Sequence, residues 1–137
     1  TSGVGIGYYK QLLKYTDLVI LDIKHTNSVE YEKLTLCKIT KSERFIESLN
    51  ESGVAVWVRQ VIIPKFNDNT EYLISLAKYL EKIKNIKRVE FLPYHTMAKE
   101  IYKKHNMEYR MTDTPAMDSK KCAALNTKFL KKFFKLK

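Results

Sequence analysis

The sequence predicts an α/β fold: part of a larger β/α barrel or open sheet, with about three parallel strands and flanking helices. Three observations predict it. Three short segments are near-continuously apolar and rich in β-branched or aromatic residues, as strands are in a covered parallel sheet. Helical periodicity with start signals fills the stretches between them. The two types alternate through short connections, which requires right-handed crossovers and a parallel sheet. Three strands cannot close an eight-stranded barrel by themselves.

A short helix is expected over 8–14, ahead of a first strand at 18–24. Asn27-Ser-Val-Glu30 and Thr40-Lys-Ser-Glu43 both read as capping boxes, in which a side-chain oxygen takes a free N–H and the Glu reaches back. The second box opens a helix with Phe45, Ile46 and Leu49 on its apolar face, closed by Gly53. A second strand spans 54–63 and stops at Pro64. A helix over 70–84 places Leu73, Ile74, Ala77, Leu80 and Ile83 on one side. The third strand, 88–92, stops at Pro93, and a helix is expected over 99–105. A terminal helix carries the stripe Cys122, Leu125, Phe129 and Phe133. Gly3-x-Gly5-x-Gly7 lacks the spacing and the preceding strand of a phosphate loop and reads as a flexible turn.

Composition narrows the function classes. At 137 residues, 45% hydrophobic and 12% aromatic, the chain can bury a core. The longest apolar run is five residues, Val54 to Val58, too short to span a membrane. Thr1-Ser-Gly3 opens without a basic region and an apolar core, so no secretory leader is expected. Two cysteines, Cys37 and Cys122, fit a reducing, cytoplasmic compartment better than a disulfide framework. The net charge is +10, and residues 118–137 hold seven lysines against one acid, Asp118. Such a block reads first as the solvated side of the terminal helix, and second as a surface for nucleic acid or an acidic partner.

The polar residues of the strands carry the functional signal. Val19, Leu21 and Ile23 share one face of the first strand, and Ile20, Asp22 and Lys24 share the other. Arg59 shares a face with Ala55 and Trp57, and His95 follows the third strand. Ligands of parallel sheets bind at the C-terminal strand ends, where Asp22, Lys24, Arg59 and His95 all lie. The plainer alternative is a structural ion pair of Asp22 with Lys24 or Arg59. Asp22, His25 and His95 also form a weaker candidate metal set.

Tyr15-Thr-Asp-Leu-Val-Ile-Leu-Asp-Ile-Lys-His25, then Val56-Trp-Val-Arg-Gln-Val-Ile-Ile-Pro64, then Val89-Glu-Phe-Leu-Pro-Tyr-His95, resemble the pyruvate formate-lyase activating enzymes of the radical S-adenosylmethionine group. Thr1-Ser-Gly3 looks like the end of that family's D-T-[SN]-G strand. The resemblance implies a partial (β/α)6 barrel, of which residues 1–137 look like the C-terminal half. It implies S-adenosylmethionine and a [4Fe-4S] cluster held by three cysteines in C-x3-C-x2-C. It implies a 5′-deoxyadenosyl radical that takes a hydrogen atom from a glycine of pyruvate formate-lyase, with flavodoxin or ferredoxin as electron donor.

Asp22, Ile23 and Lys24 match the family's D-[LI]-K motif, and His95 its L-P-Y-H histidine, both contacts for S-adenosylmethionine. Arg59 matches the W-[IV]-R arginine, suited to a carboxylate or to the peptide. Thr1, the carbonyl of Ile20, and Asp22 match positions around a monovalent cation. The cluster cysteines are absent from these residues, so the chain alone is expected to be inactive. Three usual glycines are replaced, by Leu36, by Lys65 and by Ala98. The competing reading is a truncated, non-enzymatic basic module that docks a protein or nucleic acid. Neither a membrane nor, on the favoured reading, nucleic acid is an expected partner.

Overall fold

The structure is a computed structural model and describes residues 1–5 and 7–135. Lys137 of the lysine-rich end therefore lies outside the described residues. The order is α1 (Tyr9–Leu13), β1 (Leu18–Ile23), α2 (Ser28–Thr35), α3 (Ile39–Ser52), β2 (Ala55–Ile62), α4 (Thr70–Leu80), β3 (Ile86–Pro93), α5 (Met97–Lys104) and α6 (Ser119–Lys132). The strands form one sheet in the order β1-β2-β3, and both pairings are parallel.

That order places consecutive strands side by side. With sequential neighbours, every right-handed crossover falls on the same side of the sheet. An open doubly wound sheet instead reverses its strand order and covers both faces. Here β2 alternates strictly: Val56, Val58, Gln60 and Ile62 are buried, while Ala55, Trp57, Arg59 and Val61 are half-buried. Val19, Leu21 and Ile23 of β1, with Val89 and Phe91 of β3, extend the sealed face. The helices pack there, through Phe45, Ile46 and Leu49 of α3, Leu73, Leu76 and Leu80 of α4, and Cys122 and Phe129 of α6. The fold is α/β, a three-stranded all-parallel sheet with flanking helices, and matches the partial β/α fragment expected.

Several boundaries differ from expectation, each for a local reason. Asn27 caps α2 as expected, its Oδ1 accepting from the N–H of Val29 (2.9 Å) and of Glu30 (3.2 Å). Glu30 does not complete the box: its carboxylate pairs with Lys33 at 2.7 Å, and the Asn27 N–H goes to His25 Nδ1. The second box does not form, because α3 already begins at Ile39, and Glu43 meets Lys82 of the α4–β3 connection instead. Gly53 ends α3 in the left-handed conformation, as expected. Helix α4 stops four residues short of Lys84, since Asn50 of α3 binds the following turn through both the Lys82 carbonyl and the Lys84 N–H. Ile74, expected on the apolar side, faces solvent, while Tyr72 and Leu76 join Leu73, Ala77 and Leu80 on the inner side.

The first glycine of the N-terminal turn is less free than expected. Gly3 is buried at φ 71°, and a Cβ there would stand 2.5 Å from the Phe45 ring. At the other border of the sheet, Asn126 of α6 accepts the Phe91 N–H at 2.8 Å, which occupies part of the outer backbone of β3.

Candidate functional site

Pairing register assembles the site on the half-open face of the sheet. Ile20, Trp57 and Arg88 lie abreast, and one step toward the C-terminal ends Asp22, Arg59 and Glu90 form a row across all three strands. Lys24 follows beyond the end of β1. Arg59 Nε lies 3.3 Å from a Glu90 carboxylate oxygen, and the other oxygen of Glu90 accepts from Arg88 at 2.9 Å. The Arg88 guanidinium sits over the Trp57 ring at 5.2 Å. Lys24 Nζ stands 3.9 Å from Asp22. The ion pair expected of Asp22 is thus made with Lys24.

These pairs contribute little to stability. Arg59 is 36% exposed and Glu90 30%, and ion pairs so placed are worth about 1 kcal/mol or less. Their chemical capacity is larger. Arg59 Nε is buried without a well-directed hydrogen bond, even with Glu90 at ion-pair distance. A guanidinium has five donors in a fixed plane, so this one can still accept a carboxylate or phosphate while Glu90 holds its edge.

Thr1 continues this surface sideways. Its nitrogen lies 3.0 Å from the Ile20 carbonyl, and its own carbonyl accepts the Asp22 N–H at 2.7 Å. That is the bonding pattern of a parallel ladder, so Thr1 runs beside β1 as a strand would. The Ile23 side chain is buried on the opposite, helix-packed face, and only its backbone borders the row. His95 is exposed and makes no hydrogen bond among the described residues, so the strands bring Asp22, Lys24 and Arg59 together but leave His95 at the rim.

The metal set does not assemble. His25 is buried between Phe66 and Tyr72, with ring centroids 5.2 and 5.0 Å away, and its Nδ1 accepts the Asn27 N–H. Burial pushes its pKa below the usual imidazole value, against smaller opposing effects of the Asn27 bond and Glu30, so the ring is neutral and carries its proton on Nε2. Among the described residues no three His, Cys, Asp or Glu side chains could hold a metal. Cys37 lies between α2 and α3, and Cys122 is buried in α6, where burial raises the thiol pKa.

Two features were not singled out from the sequence. Glu90 is one, visible only once pairing sets it against Arg59. The other is a cleft of about 440 Å³ bordered by the C-terminal turn of α2, by residues 63–66 after β2, and by Tyr102 and residues 108–111 after β3. None of Asp22, Lys24, Arg59 or His95 lines it. The charged row is the better candidate for chemistry, because the cleft is mainly apolar and its arginine is already engaged: Arg110 donates to the carbonyls of Lys33 and Leu34.

No protein-family model matches the chain. It is 40% identical over 131 residues to a pyruvate formate-lyase-activating enzyme of Clostridium pasteurianum, a match covering 96% of this chain and 55% of that protein. The chain belongs to the pyruvate formate-lyase-activating enzyme family. A Staphylococcus aureus enzyme of the same name is 32% identical over 111 residues, 81% of this chain and 44% of the relative. The chain thus spans about half the length of the curated relatives it matches. A solved domain of a pyruvate-formate lyase-activating enzyme from Bacteroides vulgatus shares the fold, with TM-score 0.65 at 13% identity, over 92% of this chain and 71% of that one. No described helix is long and apolar enough to cross a membrane.

Two non-glycine residues of the turns adopt left-handed backbone. Leu36 and Lys65, where the resemblance implies glycine, have positive φ values of 58° and 61°. Glycine adopts this conformation without the steric cost that a Cβ brings. Ala98, at the third replaced position, lies within α5 and adopts no such conformation.

Proposed function

We propose that the chain forms the C-terminal part of a radical S-adenosylmethionine activase that installs a glycyl radical on pyruvate formate-lyase. The observation that carries this reading is 40% identity across 96% of the chain, a stretch that includes the charged row. The residues suit one implied cofactor and not the other. S-adenosylmethionine bears a carboxylate, an ammonium, a ribose diol and a sulfonium. The open face offers both signs of charge to it, with the cations Arg59 and Lys24 interleaved with the acids Asp22 and Glu90. An iron–sulfur cluster needs converging thiolates, and Cys37 and Cys122 do not converge. On this reading the cluster ligands belong to residues beyond these 137.

When bound, the two cofactors supply hydrogen-atom abstraction from a glycine of the protein substrate. This chain's residues bind and orient. Arg59 takes the methionine carboxylate, with Glu90 fixing its plane. Lys24 and His95 meet the polar rim of the cofactor, and Trp57 walls the floor against water. Thr1, the Ile20 carbonyl and Asp22 flank a monovalent cation. A flavodoxin or ferredoxin donates electrons, and the whole works in the cytoplasm.

The test is equilibrium dialysis of S-adenosylmethionine against the chain. Arg59→Ala and Lys24→Ala each weaken binding about tenfold, the scale of one charge-assisted hydrogen bond. Equal binding by both variants and the unaltered chain would overturn the assignment. With pyruvate formate-lyase and reductant, the chain alone yields no glycyl radical by electron paramagnetic resonance.

A further inference from the structure

Four side chains on the open face of β2 and β3 form one connected set. Register puts Trp57 opposite Arg88 and Arg59 opposite Glu90, so two residues of each strand project to the same side. The Arg88 guanidinium sits over the Trp57 ring at 5.2 Å and donates to one Glu90 oxygen at 2.9 Å. The other Glu90 oxygen stands 3.3 Å from Arg59 Nε. Each oxygen of this carboxylate thus faces a different arginine, and Arg88 is itself held at two points. Arg88 lies one step back from the row of Asp22, Arg59 and Glu90, away from the strand ends where ligands of parallel sheets bind. Its route to a ligand at Arg59 runs through Glu90.

Half-exposed ion pairs add little stability, so what this set supplies is aim. An arginine side chain is long and flexible, and one that is 36% exposed loses rotamer freedom when it grips a ligand. A brace that fixes it beforehand removes that cost. Without the Glu90 charge, Arg59 and Arg88 would share one surface as uncompensated like charges. We propose that Arg88, seated on Trp57, and Glu90 are positioning residues that hold the Arg59 guanidinium ready for the carboxylate of S-adenosylmethionine, and so set the preference for a ligand that carries it. This rests on the activase reading and extends the part of Glu90 there to a relay that begins at Trp57.

Two measurements on the 137-residue chain test it. In the first, nitrogen-15 relaxation reports the order of the Arg59 Nε–H bond without ligand. Arg88→Met and Glu90→Gln each lower that order, and unchanged order in either variant overturns the proposal. The second is equilibrium dialysis with S-adenosylmethionine and with its decarboxylated form, which keeps the sulfonium, ammonium and ribose but lacks the carboxylate. Each of the two substitutions weakens S-adenosylmethionine binding about threefold, the scale of a half-exposed ion pair. Each leaves binding of the decarboxylated form unchanged and adds nothing to Arg59→Ala when combined with it. Unchanged binding of S-adenosylmethionine, equal losses for both ligands, or losses that add to that of Arg59→Ala overturn the relay. A loss on Arg59→Ala alone then leaves the activase reading standing. No binding of S-adenosylmethionine by the unaltered chain overturns both.

Discussion

The two faces of the sheet are built from the same three strands and alternate residues, yet they do different work. The helix-packed face is dry: Leu21, Val56, Val58, Ile62 and Phe129 are fully buried. Its one polar strand residue, Gln60, is satisfied by the Tyr72 hydroxyl and by a backbone carbonyl. The open face is half-wet and carries Asp22, Arg59, Arg88 and Glu90 in pairs that leave donors to spare. A period of two lets one strand serve stability on one side and ligand chemistry on the other.

The largest expected effect tests that division directly. Phe129→Ala empties a site packed against Phe91 and Phe134 and lowers unfolding free energy by about 3–5 kcal/mol in urea titrations. Arg59→Ala, on the open face, costs about 1 kcal/mol or less. Comparable losses for the two would break the contrast. Next, Tyr72→Phe leaves the buried Gln60 carbonyl oxygen unpaired and costs about 1–3 kcal/mol; a neutral result would mean that this network does not stabilise the dry face. Leu36→Gly and Lys65→Gly act at the C-terminal end of α2 and at the turn after β2. Each relieves a left-handed non-glycine residue and raises stability by about 1 kcal/mol or less, read as a higher urea midpoint.

The smallest effect is a pH dependence. Burial lowers the pKa of His25 in the folded protein, so the unfolded chain binds its proton more readily. The resulting stability is fully present above the unfolded value of about 6.5 and is lost as pH falls below it toward the folded value. A urea midpoint followed from pH 7.5 to pH 5 therefore drops further for the unaltered chain than for His25→Phe. Parallel curves would show that folding does not lower the His25 pKa.

All three strands and most of the helices were legible in the residue pattern, because period and caps are local. Val19, Leu21 and Ile23 on one side with Asp22 and Lys24 on the other needed only alternation to be seen. The second capping box misled because Thr40-Lys-Ser-Glu43 satisfies the motif without being the helix start: the short connection after α2 lets α3 begin at Ile39. Nothing near His25 in the chain reveals that Phe66 and Tyr72, about forty residues on, enclose it. Glu90 went unnoticed because an acid beside Arg88 looks like ordinary surface until β2 and β3 are aligned.

The sequence by itself determined the α/β alternation, the apolar stripe of each element and the charged ends of the strands, since each follows from side chains within a few residues of one another. Tertiary structure alone decided the rest. Strand order placed the apolar stripes of α3, α4 and α6 on one face, register aligned Asp22, Arg59 and Glu90, and packing carried Arg110 across 77 residues to the end of α2. The physical reason is range. Backbone periodicity is written in neighbouring residues, whereas a contact between distant segments depends on how every intervening crossover packs.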